Sequence, residues 1–271
     1  MPNVQILTAT RMSIVIAFFA YASWSDHKSR EVSDKVWLLL GPLSLTLMLT
    51  EILLFYPSNL VPYAISFGVT TAFAVILFYA GGFGGADAKA LMCLALALPF
   101  YPENLLTPLA GSPSPISTMI FPITVFSNSV LFAALSAVVL FFYNLVWRLR
   151  KHEDLFQGSQ KNESPGKKIL VLITGYKAAV SRLKEKWHVY PMEDIESDAN
   201  NEYKRKLIIL PKDEGRNEIV ERLDNAIQSG IIKDALWATP GLPMLIFVTA
   251  GLLVALFLGD IVWTGIRLVL G

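Results

Sequence analysis

Two aspartates, Asp26 and Asp87, sit where an apolar chain is expected to exclude charge. Asp26 follows the first apolar segment. Asp87 closes the run Gly81-Gly82-Phe83-Gly84-Gly85-Ala86-Asp87, directly after another apolar segment. An ionisable group in or just under a bilayer is costly and is a functional-site hypothesis by default. Two carboxyls a few ångströms apart share one proton. The ionised member activates a water; the protonated member polarises a carbonyl and then protonates a leaving amine. That is hydrolysis of a peptide bond by paired acids. On pattern alone, the same two acids fit a proton relay in a transporter equally well. Each also has a structural reading as an interfacial charge capping a helix, and Asp87 is a fair N-cap for a helix opening at Ala88. The glycine run is what that reading leaves unexplained. Four glycines in five positions permit unusual backbone angles and close approach of another chain. Gly84, Gly85 and Ala86 are therefore candidates for contact with an extended peptide.

The rest of the chain must bring these acids to one depth. Of its 271 residues 54% are hydrophobic, and the mean hydropathy is +0.49. That is too apolar for an ordinary soluble domain. A spanning helix needs about 20 mostly apolar residues. Six segments qualify, at 4–23, 36–56, 61–83, 88–108, 119–147 and 241–263. The fourth is the weakest, because Pro99 and Pro102 shorten its clean apolar stretch. The expected fold is an all-α polytopic membrane protein with six transmembrane helices and a small α+β cytoplasmic insert before the last. In domain terms, 1–147 holds five spans, 148–236 the soluble insert and 237–271 the last span. The first segment lacks a charged n-region and a small-residue cleavage site, so it is expected to remain as a span.

Charge sets the orientation. Seventeen of the 23 Lys and Arg residues fall between Arg148 and Lys233. Lys28, Arg30 and Lys35 lie between spans one and two, and Lys89 between three and four, whereas 57–60 and 109–118 carry none. The positive-inside rule places 24–35, 84–89 and 148–236 in the cytoplasm. Asp26 and Asp87 then share the cytoplasmic face of a cell membrane. Arg11, inside span one, is expected to snorkel or to pair within the bundle. The insert is charged but nearly balanced, which argues against a nucleic-acid partner. Membrane lipid is the expected surrounding.

Within the insert, 151–168 reads as a flexible linker. Ile169–Thr174 is a strand or a helix end, which periodicity does not decide. Lys206–Pro211 is a strand candidate. Asn217–Gln228 carries apolar residues at helical spacing with Gly230 beyond, an amphipathic helix with a glycine stop. No phosphate-loop, dinucleotide or Cys/His metal motif occurs in it, and neither cofactor nor metal is expected.

Other acids read more plainly. Glu31 and Asp34 sit in a short basic loop, where pairing with Lys28, Arg30 and Lys35 is expected. Glu51 and Glu103 fall near the outer ends of their spans, within reach of water. Asp260 reads as a structural hydrogen-bonding group. The lone Cys93 reads as packing.

These residues resemble a known family. Asp26-His27-Lys28-Ser29-Arg30-Glu31-Val32-Ser33-Asp34 with Trp37 resembles the first motif of archaeal preflagellin peptidases. Gly84-Gly85-Ala86-Asp87-Ala88-Lys89 resembles their GxGD motif. Trp237-Ala238-Thr239-Pro240-Gly241-Leu242-Pro243 resembles the approach to their last span, and Gly259-Asp260 a pair late within it. The resemblance implies a GxGD-type intramembrane aspartyl protease related to prepilin peptidases. It implies that Asp26 and Asp87 form the catalytic pair. It also implies partners: preflagellin or pilin-like precursors, which would lose a short basic leader on the cytoplasmic side. Ala86 stands where the motif has its second glycine. If that position needed φ > 0, alanine would cost on the order of 1 kcal/mol or more. The single cysteine lacks the zinc motif of the bacterial relatives, so no methyltransferase activity is expected. With the motifs in hand, the protease reading outweighs the relay.

Overall fold

The computed structural model describes residues 2–197, 203–209, 215–240 and 243–270. The chain divides into two compact units, Met1–Ala133 with Pro243–Gly271, and Ala134–Leu242.

The first unit is helical. Its elements are α1 (Pro2–Ser29), α2 (Asp34–Phe55), α3 (Leu60–Tyr79), α4 (Gly85–Ala97), the short α5 (Pro115–Met119) and the start of α6 (Phe121–Lys151). Two later helices, α10 (Met244–Phe257) and α11 (Ile261–Leu270), complete it. Its core is aliphatic and aromatic. Phe19, Leu40, Leu91, Leu94, Val248 and Leu252 are fully buried. Smaller residues bring helices close. A Cβ on Gly251 of α10 would lie 2.6 Å from the Val125 carbonyl of α6 and would also run into Ser129 Oγ. Among the described residues, four helices are long and apolar enough to cross a bilayer: Asn3–Ser29, Asp34–Phe55, one running Pro57–Tyr79, and Phe121–Lys151. A fifth crossing results if α10 and α11, bent by 60°, count as one span. The chain is a multi-pass membrane protein.

Two expected spans look different in detail. The segment at 88–108 is helical only to Ala97, and the 13-residue α4 is too short for a bilayer by itself. The segment at 241–263 is broken. Gly259 takes φ +106°, a conformation that favours glycine. Asn128 of α6 bridges the break, donating to the Gly259 carbonyl at 3.0 Å and accepting from the Ile261 amide at 3.1 Å. Asp260 then caps α11, accepting from the Trp263 amide at 2.9 Å and from Ser114 at 2.8 Å. A broken helix at membrane depth needs such partners, since lipid supplies none. Asp260 is a structural hydrogen-bonding group, as its position suggested.

Arg11 pairs inside the bundle, and the partner corrects the reading of Glu51. Glu51 is buried rather than wetted, 2.7 Å from Arg11. Thr8 also donates to it, and Arg11 donates to the Ala97 carbonyl. Removing one partner of such a pair costs about 3–5 kcal/mol, because a buried charge is left alone.

The second unit mixes helix and sheet. It contains the end of α6, α7 (Pro165–Thr174), β1 (Tyr176–Ala178), α8 (Val180–Glu185), β2 (Val189–Pro191), β3 (Glu193–Ser197), β4 (Tyr203–Leu207), α9 (Arg216–Gln228) and β5 (Leu236–Pro240). β5 is the centre of an antiparallel sheet, between β1 and β2, while β3 and β4 form a separate pair. The amphipathic helix appears as α9, buries Val220, Leu223 and Ala226, and stops at Gly230 with φ +70°. Ile169–Thr174 is the end of α7, and the expected linker already carries a 3-10 turn at Gly158–Asn162 and the first turn of α7. The strand candidate is β4, displaced toward the N-terminus; Leu210 and Pro211 lie outside the described residues. Residues 237–240 of the third motif lie in β5, with Gly241 and Leu242 outside the described residues.

Candidate active site

The first motif builds a tight turn. α1 ends at Ser29, and Arg30 adopts φ +59°, left-handed backbone rare for a side chain other than glycine. Its amide donates to the Asp26 carbonyl at 2.9 Å. Ser25 and Ser29, one turn apart, both donate to the Glu31 carbonyl, at 2.8 and 3.1 Å. Ser33 then caps α2 by accepting from the Lys35 amide at 3.4 Å. Ser25, just before the motif, and Ser29 and Ser33 within it are thus turn-forming groups where α1 stops and α2 starts. Asp26 lies in its last turn, half-buried. The backbone amide of Leu245, near the start of α10, lies beside its carboxyl, with Arg30 and His27 as the cationic neighbours.

The second motif closes one helix and opens the next. Gly81, at φ +74°, is the left-handed residue after α3. Its amide donates to Phe78 and that of Gly82 to Leu77, the double bond of a Schellman stop. Gly84 is the N-cap of α4, in extended backbone. Asp87 is therefore not the N-cap but the third residue of the helix, and its Oδ2 accepts from the Gly84 amide at 3.0 Å. A Cβ on Gly84 would stand 3.1 Å from that oxygen. A side chain there would press on the carboxyl. Gly85 has only ordinary contact, 3.7 Å from the Phe78 ring. Ala86 lies within α4, outside the left-handed region. The strain expected if this position needed φ > 0 does not arise, and alanine suits helical backbone. The glycine run is a stop and a start, not an extended edge.

Packing of α1 and α2 against α4 brings the two motifs together. Asp26 and Asp87 lie at the same end of the first unit, within range of each other's charge. A second link joins the motifs, because Lys89, two residues after Asp87, pairs with Asp34. This corrects the expectation that Asp34 pairs with its own loop. The partner is 55 residues away, a distance no local pattern bridges. The aid lay in the motifs themselves, each of which carries one member of the pair. The pair is exposed, so its energetic worth is small, about 0–1 kcal/mol. Its effect is to tie the turn after α1 to the first turn of α4. Also unforeseen was a set of hydroxyls beside Asp26. Ser23 donates to the Leu245 carbonyl at 2.9 Å and lies 2.6 Å from Thr249 Oγ1.

The arrangement offers two carboxyls, an open glycine N-cap beside one of them and a helix N-terminus beside the other. Paired carboxyls are the groups that acid–base activation of a water against a peptide carbonyl requires.

Comparison with known proteins places these motifs in context. The Type IV leader peptidase family matches residues 13–141, which include both aspartates. The Archaeal Peptidase A24 C-terminus, Type II, matches residues 167–261. A preflagellin peptidase of Methanococcus voltae is 28% identical over 246 residues, covering 88% of this chain and 91% of its own. One from Methanococcus maripaludis is 23% identical over 239 residues, covering 88% and 90%.

Proposed function

We propose that this chain, which matches the Type IV leader peptidase family over residues 13–141 and the Archaeal Peptidase A24 C-terminus over 167–261, is an aspartic-type membrane peptidase that removes the short basic leader from preflagellin and pilin-like precursors at the cytoplasmic face. The observation that supports this reading is the placement of Asp26 in the last turn of α1 and of Asp87 in the first turn of α4, with α1 and α2 packed against α4 and Lys89 paired with Asp34. The names of the relatives supply the substrate.

In the proposed reaction the dyad holds one proton. The ionised carboxyl takes a proton from water as that water attacks the scissile carbonyl. The protonated carboxyl stabilises the oxyanion and then gives its proton to the leaving amine. The two steps leave the dyad with one proton again. Ionisation belongs to the pair rather than to either residue. The chain crosses the membrane six times in this reading, with α4 and the stretch to residue 108 making the fourth crossing. The insert and the loops at 24–35 and 84–89 face the cytoplasm, as their Lys and Arg content favours.

The leader is read beside α4. A final leader glycine lets the substrate backbone approach Gly84, Gly85 and Ala86 without a clashing side chain. Basic leader residues meet a site with about one net negative charge and Glu31 nearby in the chain. The test is a series of precursors cleaved by the purified chain in detergent. Replacing the leader's Lys and Arg by Glu, or its last Gly by Val, lowers kcat/KM at least tenfold, about 1.4 kcal/mol. Equal cleavage of all leaders contradicts this account of recognition.

A further inference from the structure

The amino end of α10 meets Asp26 in a way the two-carboxyl reading does not use. The first amides of any helix lack intrahelical partners. The N-cap of α10 is Pro243, whose side chain makes no capping hydrogen bond. The Ile246 amide is served by the Pro243 carbonyl at 3.0 Å. The Leu245 amide instead lies beside the Asp26 carboxyl, which belongs to α1. The dipole at this end of a helix favours a nearby negative charge.

Contact between two separate helices holds only if their offset is fixed. Ser23 lies one turn before Asp26, on the same face of α1. Its hydroxyl donates to the Leu245 carbonyl at 2.9 Å. Thr249 lies four residues after Leu245, again one turn along. Its hydroxyl lies 2.6 Å from Ser23 Oγ and 3.2 Å from the Phe19 carbonyl of α1. Each hydroxyl has one proton. With Ser23 spending its own on Leu245, Thr249 donates to Ser23 or to Phe19, and every choice ties α1 to α10. Around the ties, Phe19, Val248 and Leu252 are fully buried, and Leu245 nearly so. The apolar contact supplies adhesion, but it is non-directional. The hydroxyls supply the offset.

We propose that Ser23 and Thr249 are positioning residues for Asp26: they lock α1 to the first two turns of α10 and so fix where the Asp26 carboxyl, one turn beyond Ser23, stands at the amino end of α10. The inference rests on the catalytic reading of Asp26. Loss of the lock lets the carboxyl rotate away from the geometry that water activation needs, while the surface that binds the leader stays in place.

The test uses the full chain in detergent with a preflagellin precursor. Thr249→Val keeps the shape and removes the hydroxyl; Ser23→Ala removes the other; Thr249→Ser restores a hydroxyl. Thr249→Val and Ser23→Ala lower kcat about tenfold with KM within twofold of the parent. The double variant is no slower than the slower single, because one lock is lost only once, and Thr249→Ser recovers most of the rate. Thermal unfolding is followed in parallel. Parental kcat in both single variants overturns the proposal. So does a melting temperature that falls while kcat stays, or a Thr249→Ser enzyme as slow as Thr249→Val. Asp26→Asn separates the two levels. If it is inactive while both single variants have parental kcat, positioning alone falls; if it is active, the dyad reading falls as well.

Discussion

Gly84 shows how one missing side chain shapes the candidate site. Its amide is held by Asp87 Oδ2 at 3.0 Å, and a Cβ would stand 3.1 Å from the same oxygen. Gly84→Ala therefore pushes the carboxyl away from its partner while the extended backbone itself tolerates alanine. We expect the variant to fold and insert normally but to cleave a precursor at least tenfold more slowly. Gly85→Ala, whose Cβ meets only ordinary contact, should be milder. Equal rates for the two variants would mean that the Asp87 orientation is not limiting. At this scale much was legible in the chain. Asp26 and Asp87 stood out because an apolar surrounding makes acids conspicuous. The partners of Asp34 and Glu51 were not legible, since each is supplied by another helix, Lys89 from α4 and Arg11 from α1.

Close approach of α10 and α6 depends on Gly251. Its Cβ would meet the Val125 carbonyl at 2.6 Å, and backbone does not yield as a side chain does. Gly251→Ala should therefore destabilise the helical unit by roughly 1–3 kcal/mol, the usual cost of overpacking. Thermal unfolding in detergent measures it, and an unchanged midpoint would show that the helices shift freely. In the insert, Lys177 of β1 lies over the Trp237 ring at 4.4 Å and is almost fully buried. Burial pushes its amine down to about 8 from 10.5. Between those values the unfolded chain binds more protons than the folded one, so stability rises with pH. The penalty is complete below about pH 8 and is lifted as pH approaches 10.5; by linkage it is on the order of 3 kcal/mol. Lys177→Met should thus gain on the parent most near pH 7, and the gap between their melting temperatures should narrow toward pH 10.5. A gap independent of pH would show that Lys177 is not desolvated. Elements with strong periodicity, such as α9, were legible from the chain. The short strands were not, because β1 and β2 have three residues each and owe their existence to pairing with β5. The break at Gly259 was also hidden, since its backbone groups are satisfied by Asn128 from α6.

Across the whole molecule, the proposed chemistry depends on one arrangement: two motifs about 60 residues apart in the chain, folded to one end of a helical unit. α1 stops where the serines of its turn stop it, α4 starts where Gly84 lets it, and the pairing of Lys89 with Asp34 joins the two. The central claim is that Asp26 and Asp87 act together as the catalytic pair. The most direct measurement is cleavage of a preflagellin precursor by the purified chain and by Asp26→Asn and Asp87→Asn, each nearly isosteric and unable to ionise. The account predicts that both variants insert and melt like the parent and that neither yields product. It predicts also that the parental rate falls at both acid and alkaline pH, since the dyad works with one proton. Robust turnover by either variant would contradict it.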